Sequence, residues 1–125
     1  MKTGSCLCGA VAYEIQGPLD DILVCHCTQC RKQTGHYWAS THIADKDLKF
    51  TRKAGLAWYN SSGMAQRGFC KDCGSTLFWK RTPDNGVTSI SAGTIDGATG
   101  LKVGAHLFVE DKGDYYHIPA DAPRR

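Results

Sequence analysis

Cys25-His26-Cys27-Thr28-Gln29-Cys30 places three thiols within six consecutive residues. Three soft donors this close together suit a thiophilic metal, zinc above all. A fourth cysteine is missing from the stretch, so zinc held by these three thiolates keeps one coordination position open, and an open position is where zinc does chemistry. The apolar run Ile22-Leu23-Val24-Cys25 enters the stretch as a strand. Its two-residue period sets Cys25 and Cys27 on one side and His26 on the other. Beyond it, Cys30-Arg31-Lys32-Gln33-Thr34 reads as one helical turn stopped by Gly35, with basic residues placed to offset a thiolate-rich centre.

The remaining four of the seven cysteines form two tight pairs, Cys6/Cys8 and Cys70/Cys73. An odd total and Cys-x-Cys and Cys-x-x-Cys spacings favour metal over a disulfide framework, and a Cys6–Cys8 bridge would be strained. Four thiolates from pairs so far apart in sequence would staple the N-terminal loop to the middle of the chain. Such a closed site contributes folding free energy directly. Gly74, after the second pair, supplies the positive φ of a Cys-x-x-Cys-Gly turn. The expectation is two zinc ions per chain, one structural and one exchangeable.

Two occupants compete for the open position of the Cys25/Cys27/Cys30 site: a further protein ligand, with His26, His36 and His42 nearest, or water or a substrate thiol. The second is the expected one. Three thiolates outweigh a dipositive ion and leave a net charge of about −1, which weakens metal-bound hydroxide as a nucleophile and suits exchange of a further soft ligand. A small thiol is therefore a better substrate than a peptide or ester. A dithiol redox role for Cys27-x-x-Cys30 is disfavoured by the third cysteine and by the lack of a βαβ pattern.

Around these clusters the chain reads as many short strands separated by turns, the pattern of an all-β, mainly antiparallel domain. Val11, Tyr13 and Ile15 alternate with Ala12 and Glu14; His36 to Ile43, Leu48 to Thr51, Leu56 to Tyr59, Thr76 to Lys80, Val87 to Ile95 and His106 to Val109 are further strands. Asn60 to Gly63 and Pro83 to Gly86 are turns. Trp38, Phe78 and Trp79 are expected in the core, Arg31 and Arg67 on the solvated surface, and His106 and His117 at the surface or satisfied within a strand. With 125 residues, one domain over 1–125 is expected. Hydrophobic residues at 42%, charged residues at 22% and a dispersed net charge of +3 describe an ordinary globular protein and argue against a nucleic-acid partner. No apolar run approaches a membrane span, no apolar signal segment precedes Cys6, and the default location is cytoplasmic, where thiols stay reduced.

Three ordered segments, Gly4-Ser-Cys-Leu-Cys-Gly-Ala-Val11, Cys25-His-Cys-Thr-Gln-Cys-Arg-Lys-Gln-Thr-Gly35 and Phe69-Cys-Lys-Asp-Cys-Gly-Ser75, together resemble the glutathione-dependent formaldehyde-activating enzyme family, which also contains centromere protein V. The resemblance covers most of the chain and extends to Ala92-Gly-Thr-Ile-Asp96 and His106-Leu-Phe-Val109. It implies a β-tent-like fold of small antiparallel sheets, a structural zinc at Cys6, Cys8, Cys70 and Cys73, and a second zinc at the catalytic Cys25, Cys27 and Cys30. It further implies a carbon–sulfur lyase that joins glutathione, as co-substrate, to formaldehyde to give S-hydroxymethylglutathione. A non-catalytic zinc-stapled binding module and a lyase for another small thiol are the alternatives.

Overall fold

A computed structural model describes residues 1–125. Ten strands carry the fold: β1 (Lys2–Ser5), β2 (Val11–Ile15), β3 (Ile22–Cys25), β4 (Trp38–Ala44), β5 (Leu48–Lys53), β6 (Leu56–Ser62), β7 (Ala65–Cys70), β8 (Thr76–Arg81), β9 (Val87–Ser91) and β10 (Val103–Leu107). One helix of seven residues, α1 (Thr28–Thr34), and three single 3₁₀ turns complete it. The architecture is all-β, as expected. Strands β1-β2-β5 form a small sheet, and a seven-stranded sheet runs β10-β3-β4-β9-β8-β7-β6. Every pairing is antiparallel except β10 with β3.

The registers divide the large sheet into two faces. Phe78 pairs with Ile90, and Ile90 with Thr41, so these point together, as directly opposed residues must. That face joins Val11, Tyr13 and Ile15 of the small sheet in the buried core. Burial of such side chains is worth roughly 1.5–3 kcal/mol each and supplies the main driving force. The opposite row runs Arg67–Trp79–Ser89–His42 across β7, β8, β9 and β4. This second face carries the candidate site, with α1 lying over it.

Several boundaries differ from those read in the sequence. Asn60, Ser61 and Ser62 belong to β6, because β7 pairs back along them and the turn closes only at Gly63-Met64. Strand β9 stops at Ser91, where Ala92–Thr94 turn into a 3₁₀ helix held by the Thr94 hydroxyl donating to the Ser91 carbonyl at 2.7 Å. The last strand is Val103–Leu107 and ends at Phe108, which adopts a left-handed φ of 53° that no strand can continue. Strand β4 begins at Trp38 rather than His36.

Candidate metal and substrate site

The four-thiol cluster forms where two turns meet. Cys6 follows β1 and is buried, and Cys8 lies two residues on and is exposed. Cys70 ends β7, and the Gly74 amide, at φ 79°, donates to the Cys70 carbonyl at 2.7 Å to close the turn that holds Cys73. All four sulfurs lie within 4.8 Å of one another. The Cys6–Cys8 and Cys8–Cys70 separations are 3.7 Å. Tetrahedral zinc with bonds of about 2.3 Å places its sulfurs about 3.8 Å apart, so the donor set fits that ion. Polar groups surround the sulfurs: the Val11 amide donates to Cys6 Sγ at 3.3 Å and Ser75 Oγ lies 3.2 Å from Cys73 Sγ. The Ser75 hydroxyl and amide hold the Cys73 thiol down to about 5. The cluster borders the core through Cys6 and Cys70.

The sulfurs of Cys25, Cys27 and Cys30 also converge within 4.8 Å, and no histidine, carboxylate or fourth cysteine joins them. They converge for a reason other than strand alternation. Strand β3 ends at Cys25, Cys27 caps α1 by accepting from the Cys30 amide at 3.4 Å, and Cys30 sits in the helix. Gly35 ends α1 with φ 80°, its amide donating to Arg31. The three sulfurs thus come from a strand end, a helix cap and a first turn. A tetrahedral metal in that trio would have three protein donors.

The near histidines are engaged elsewhere. His26 is fully buried, facing away from the thiols, with Nδ1 2.6 Å from the Tyr116 hydroxyl and Nε2 2.9 Å from His106 Nδ1. Burial lowers the His26 pKa to about 4, with His106 the next contributor. His106 is a satisfied strand residue, as expected, and the Tyr116 contact ties the tail that follows β10 to the back of the cysteine turn. His36 is exposed and stacks on Tyr37 at 4.1 Å between centroids. His42 lies in the cavity beside the trio without joining it.

Arg67 corrects the sequence reading most sharply. Expected on the solvated surface, it is 6% exposed on β7. Its Nη1 and Nη2 reach Cys30 Sγ at 3.6 and 3.7 Å and also donate to Gln33 Oε1 at 3.1 Å and Gln29 Oε1 at 3.3 Å. No carboxylate pairs with it among the salt bridges. A buried guanidinium without an anion is costly, so the thiol trio is its counter-charge. The Cys30 thiol is accordingly lowered to about 6, first by its hydrogen bond with Cys25 and then by Arg67, while the proton-bearing Cys25 is pushed up by the same contact with Cys30. No strand was expected over residues 65–70, so nothing in the sequence marked Arg67 as inward until the strand order placed β7 under α1. Arg31 is half-buried, not fully solvated, with a buried Nε that has no partner.

The trio opens into a cavity of about 620 Å³. Trp38 is buried, as expected, and also lines the cavity, Trp79, expected in the core, is a half-buried wall of it, and Phe78 is a core residue as expected. Trp38 is anchored by its indole donating to Ser91 Oγ at 3.0 Å. The sequence could not separate Trp79 from Phe78, because neighbouring strand residues face opposite ways and the useful face depends on what covers it.

Fold and site together define a small antiparallel β protein organised by two convergent thiol clusters that could bind metal. The chain belongs to the glutathione-dependent formaldehyde-activating enzyme family, whose model matches residues 1–111. An uncharacterized lyase of Schizosaccharomyces pombe is 28% identical over 113 residues, covering 90% of this chain and 82% of that protein. The crystal structure of a Rhodobacter sphaeroides protein matches with a TM-score of 0.64 at 26% identity, covering 78% of this chain and 91% of that one. No helix is long and apolar enough to cross a membrane.

Proposed function

We propose that the protein is a zinc-dependent carbon–sulfur lyase acting on a thiol–aldehyde adduct, the family's named pair being glutathione and formaldehyde. The carrying observation is the convergence of Cys25, Cys27 and Cys30, with no fourth protein donor, at a cavity. The lyase name of the yeast relative supports the reaction class. Cys6, Cys8, Cys70 and Cys73 would hold a structural zinc and Cys25, Cys27 and Cys30 an exchangeable one. Zinc in the second site would supply a position that holds a substrate thiol as its thiolate.

The chain's own residues do the rest. Arg67 offsets the negative charge of the trio, so that one more anionic sulfur can approach. Gln29 and Gln33 fix the guanidinium in place. Trp38 and Trp79 narrow the cavity and exclude water from the adduct. His42, its pKa lowered by burial, lines the same cavity and is the group this reading assigns to carry the thiol proton to the carbonyl oxygen. In the forward direction a sulfur–carbon bond forms, the carbonyl π pair moves to oxygen, and that oxygen takes the proton the thiol released. Cleavage runs the same steps backwards.

NMR of isotopically labelled formaldehyde with glutathione tests the reading through the exchange rate between free aldehyde and adduct. The native chain should accelerate exchange and Cys27→Ser should not. If neither differs from the protein-free rate, this activity is to be abandoned.

A further inference from the structure

We infer that the groove beyond His42 is the subsite for the α-amino-acid end of the thiol substrate, where Asp20 and Asp21 take its ammonium group and Arg125 its carboxylate. The inference rests on the lyase reading above and assigns residues to the γ-glutamyl arm of glutathione, the thiol in the family's name. A second cavity, of about 790 Å³, continues the first, because Leu23 and His42 line both. The strand register sets its direction. Cys25 pairs with Trp38 and Leu23 with Ser40, so the row from Cys25 through Leu23 to Asp21 runs away from the thiols beside Trp38, Ser40 and His42. Asp21 thus stands about 13 Å of extended chain from Cys25. A substrate sulfur in contact with the thiols begins about 4 Å into that span. An extended γ-glutamyl arm covers about 9 Å more, from sulfur to α-carbon, at standard bond lengths.

The charges at the far end are held in place but unspent. The Asp20 carbonyl accepts from the buried Thr41 hydroxyl at 2.6 Å. Asp21 packs over Gly104, where a Cβ would stand 2.9 Å from Asp21 Cβ. On the other wall the tail is tied to β10: the His106 amide donates to the Pro123 carbonyl and the Arg125 amide to the His106 carbonyl, each at 2.9 Å. Arg124 is committed to that tail, donating to the carbonyls of Pro119, Ala120 and Ala122. Asp20, Asp21 and Arg125 line the groove, and none of them forms an ion pair.

Both signs of charge reach His42: burial lowers its pKa, Asp20 opposes that shift and Arg125 adds to it. The mixture selects the end of glutathione that fits. Its glycine end is a lone carboxylate and would meet two aspartates here. Its γ-glutamyl end carries an ammonium and a carboxylate on one carbon and matches both signs. Exposed ion pairs are each worth little, so a head group that engages three charges at once gains where a single charge does not. Arg125 lies outside residues 1–111, the part matched by the family model, so this cation is a feature of the chain itself rather than of the shared pattern.

The test is isothermal titration of the zinc-loaded full chain with glutathione, γ-glutamylcysteine and N-acetyl-cysteinylglycine. γ-Glutamylcysteine keeps the arm and is expected to bind within about threefold of glutathione, whereas N-acetyl-cysteinylglycine, which lacks it, is expected to bind about tenfold more weakly. Arg125→Glu and Asp21→Asn, both at exposed positions, are each expected to close most of that gap, and Arg125→Lys to keep part of it. S-methylglutathione, which has no thiol to ionise, is expected to lose affinity in the same two variants. N-acetyl-cysteinylglycine binding as tightly as glutathione in the native chain overturns the subsite, as does a gap that survives both Arg125→Glu and Asp21→Asn. Neither result touches the lyase reading, which stands or falls on the formaldehyde exchange rate. Binding by none of the three thiols overturns the subsite too, and exchange measured on the same sample then shows whether the lyase reading falls with it.

Discussion

The guanidinium of Arg67 sits 3.6 Å from the sulfur of Cys30, although β7, which carries Arg67, lies four strands from β3, the strand that leads into the helix of Cys30. Cys30 belongs to α1, which leaves β3 and crosses the sheet face, while Arg67 rises from β7 to meet it. A buried cation and a thiol cluster thus satisfy one another, and neither would be stable at that depth alone. Arg67→Gln should leave the cluster with excess negative charge. The expected result is weaker retention of metal at the three-cysteine site by about tenfold or more against a competing chelator, with partial recovery in Arg67→Lys, which keeps charge but loses the fork. Equal retention in all three proteins would refute the counter-charge role.

The two clusters should differ in what they do for folding. Cys70 is fully buried beside the core and links β7 to the N-terminal loop, so Cys70→Ser should cost several kcal/mol, against about 10–16 kcal/mol for structural zinc in isolated finger peptides. Cys27 is half-buried at a helix cap, and Cys27→Ser keeps an acceptor there, so its unfolding midpoint should stay within a few degrees of native. Thermal unfolding followed by circular dichroism separates the two. Similar losses in both variants would contradict the division into a structural and an exchangeable site.

Tyr13 sets an alkaline limit. It is 1% exposed, its hydroxyl lies 2.6 Å from Thr94 Oγ1, and burial pushes its pKa from 10.0 to about 12. A raised folded-state value means the unfolded chain ionises first. The contribution of Tyr13 is therefore complete below pH 10 and is lost as pH rises toward 12, by about 2–3 kcal/mol in all. Urea unfolding across that range should show the native chain losing stability faster than Tyr13→Phe. Parallel pH profiles would exclude the effect.

His26 should matter to the tail more than to the thiols. Its two ring nitrogens engage Tyr116 and His106, so His26→Phe preserves the shape while leaving both partners unpaired. The expected cost is about 1–3 kcal/mol, with faster hydrogen exchange in residues that follow β10 and little change at Cys25, Cys27 and Cys30. Protection of the tail unchanged from native would show that the contact does not hold it.

The grouping of the cysteines, the all-β class and the family were legible in the residues themselves, because ligand spacing and two-residue alternation are local properties. Strand alternation also turns His26 away from the thiols, although the turn itself is a strand end followed by a helix cap. Longer-range order decided the rest. Strands β8 and β9 each present two faces, and only the neighbours β4 and β7 determine that Phe78 joins the core while Trp79 and Ser89 face α1. The parallel pairing of β10 with β3 brings Leu107 and Phe108 to the cavity edge, a placement made across some eighty residues of chain. Arg67 is the sharpest instance: in sequence it is one charged residue shortly before Cys70, and its burial against Cys30 exists only because packing of α1 over the sheet removes the water that would otherwise solvate it. Ligand identity is a matter of local chemistry, whereas counter-charge and cavity shape depend on which distant segments exclude solvent together.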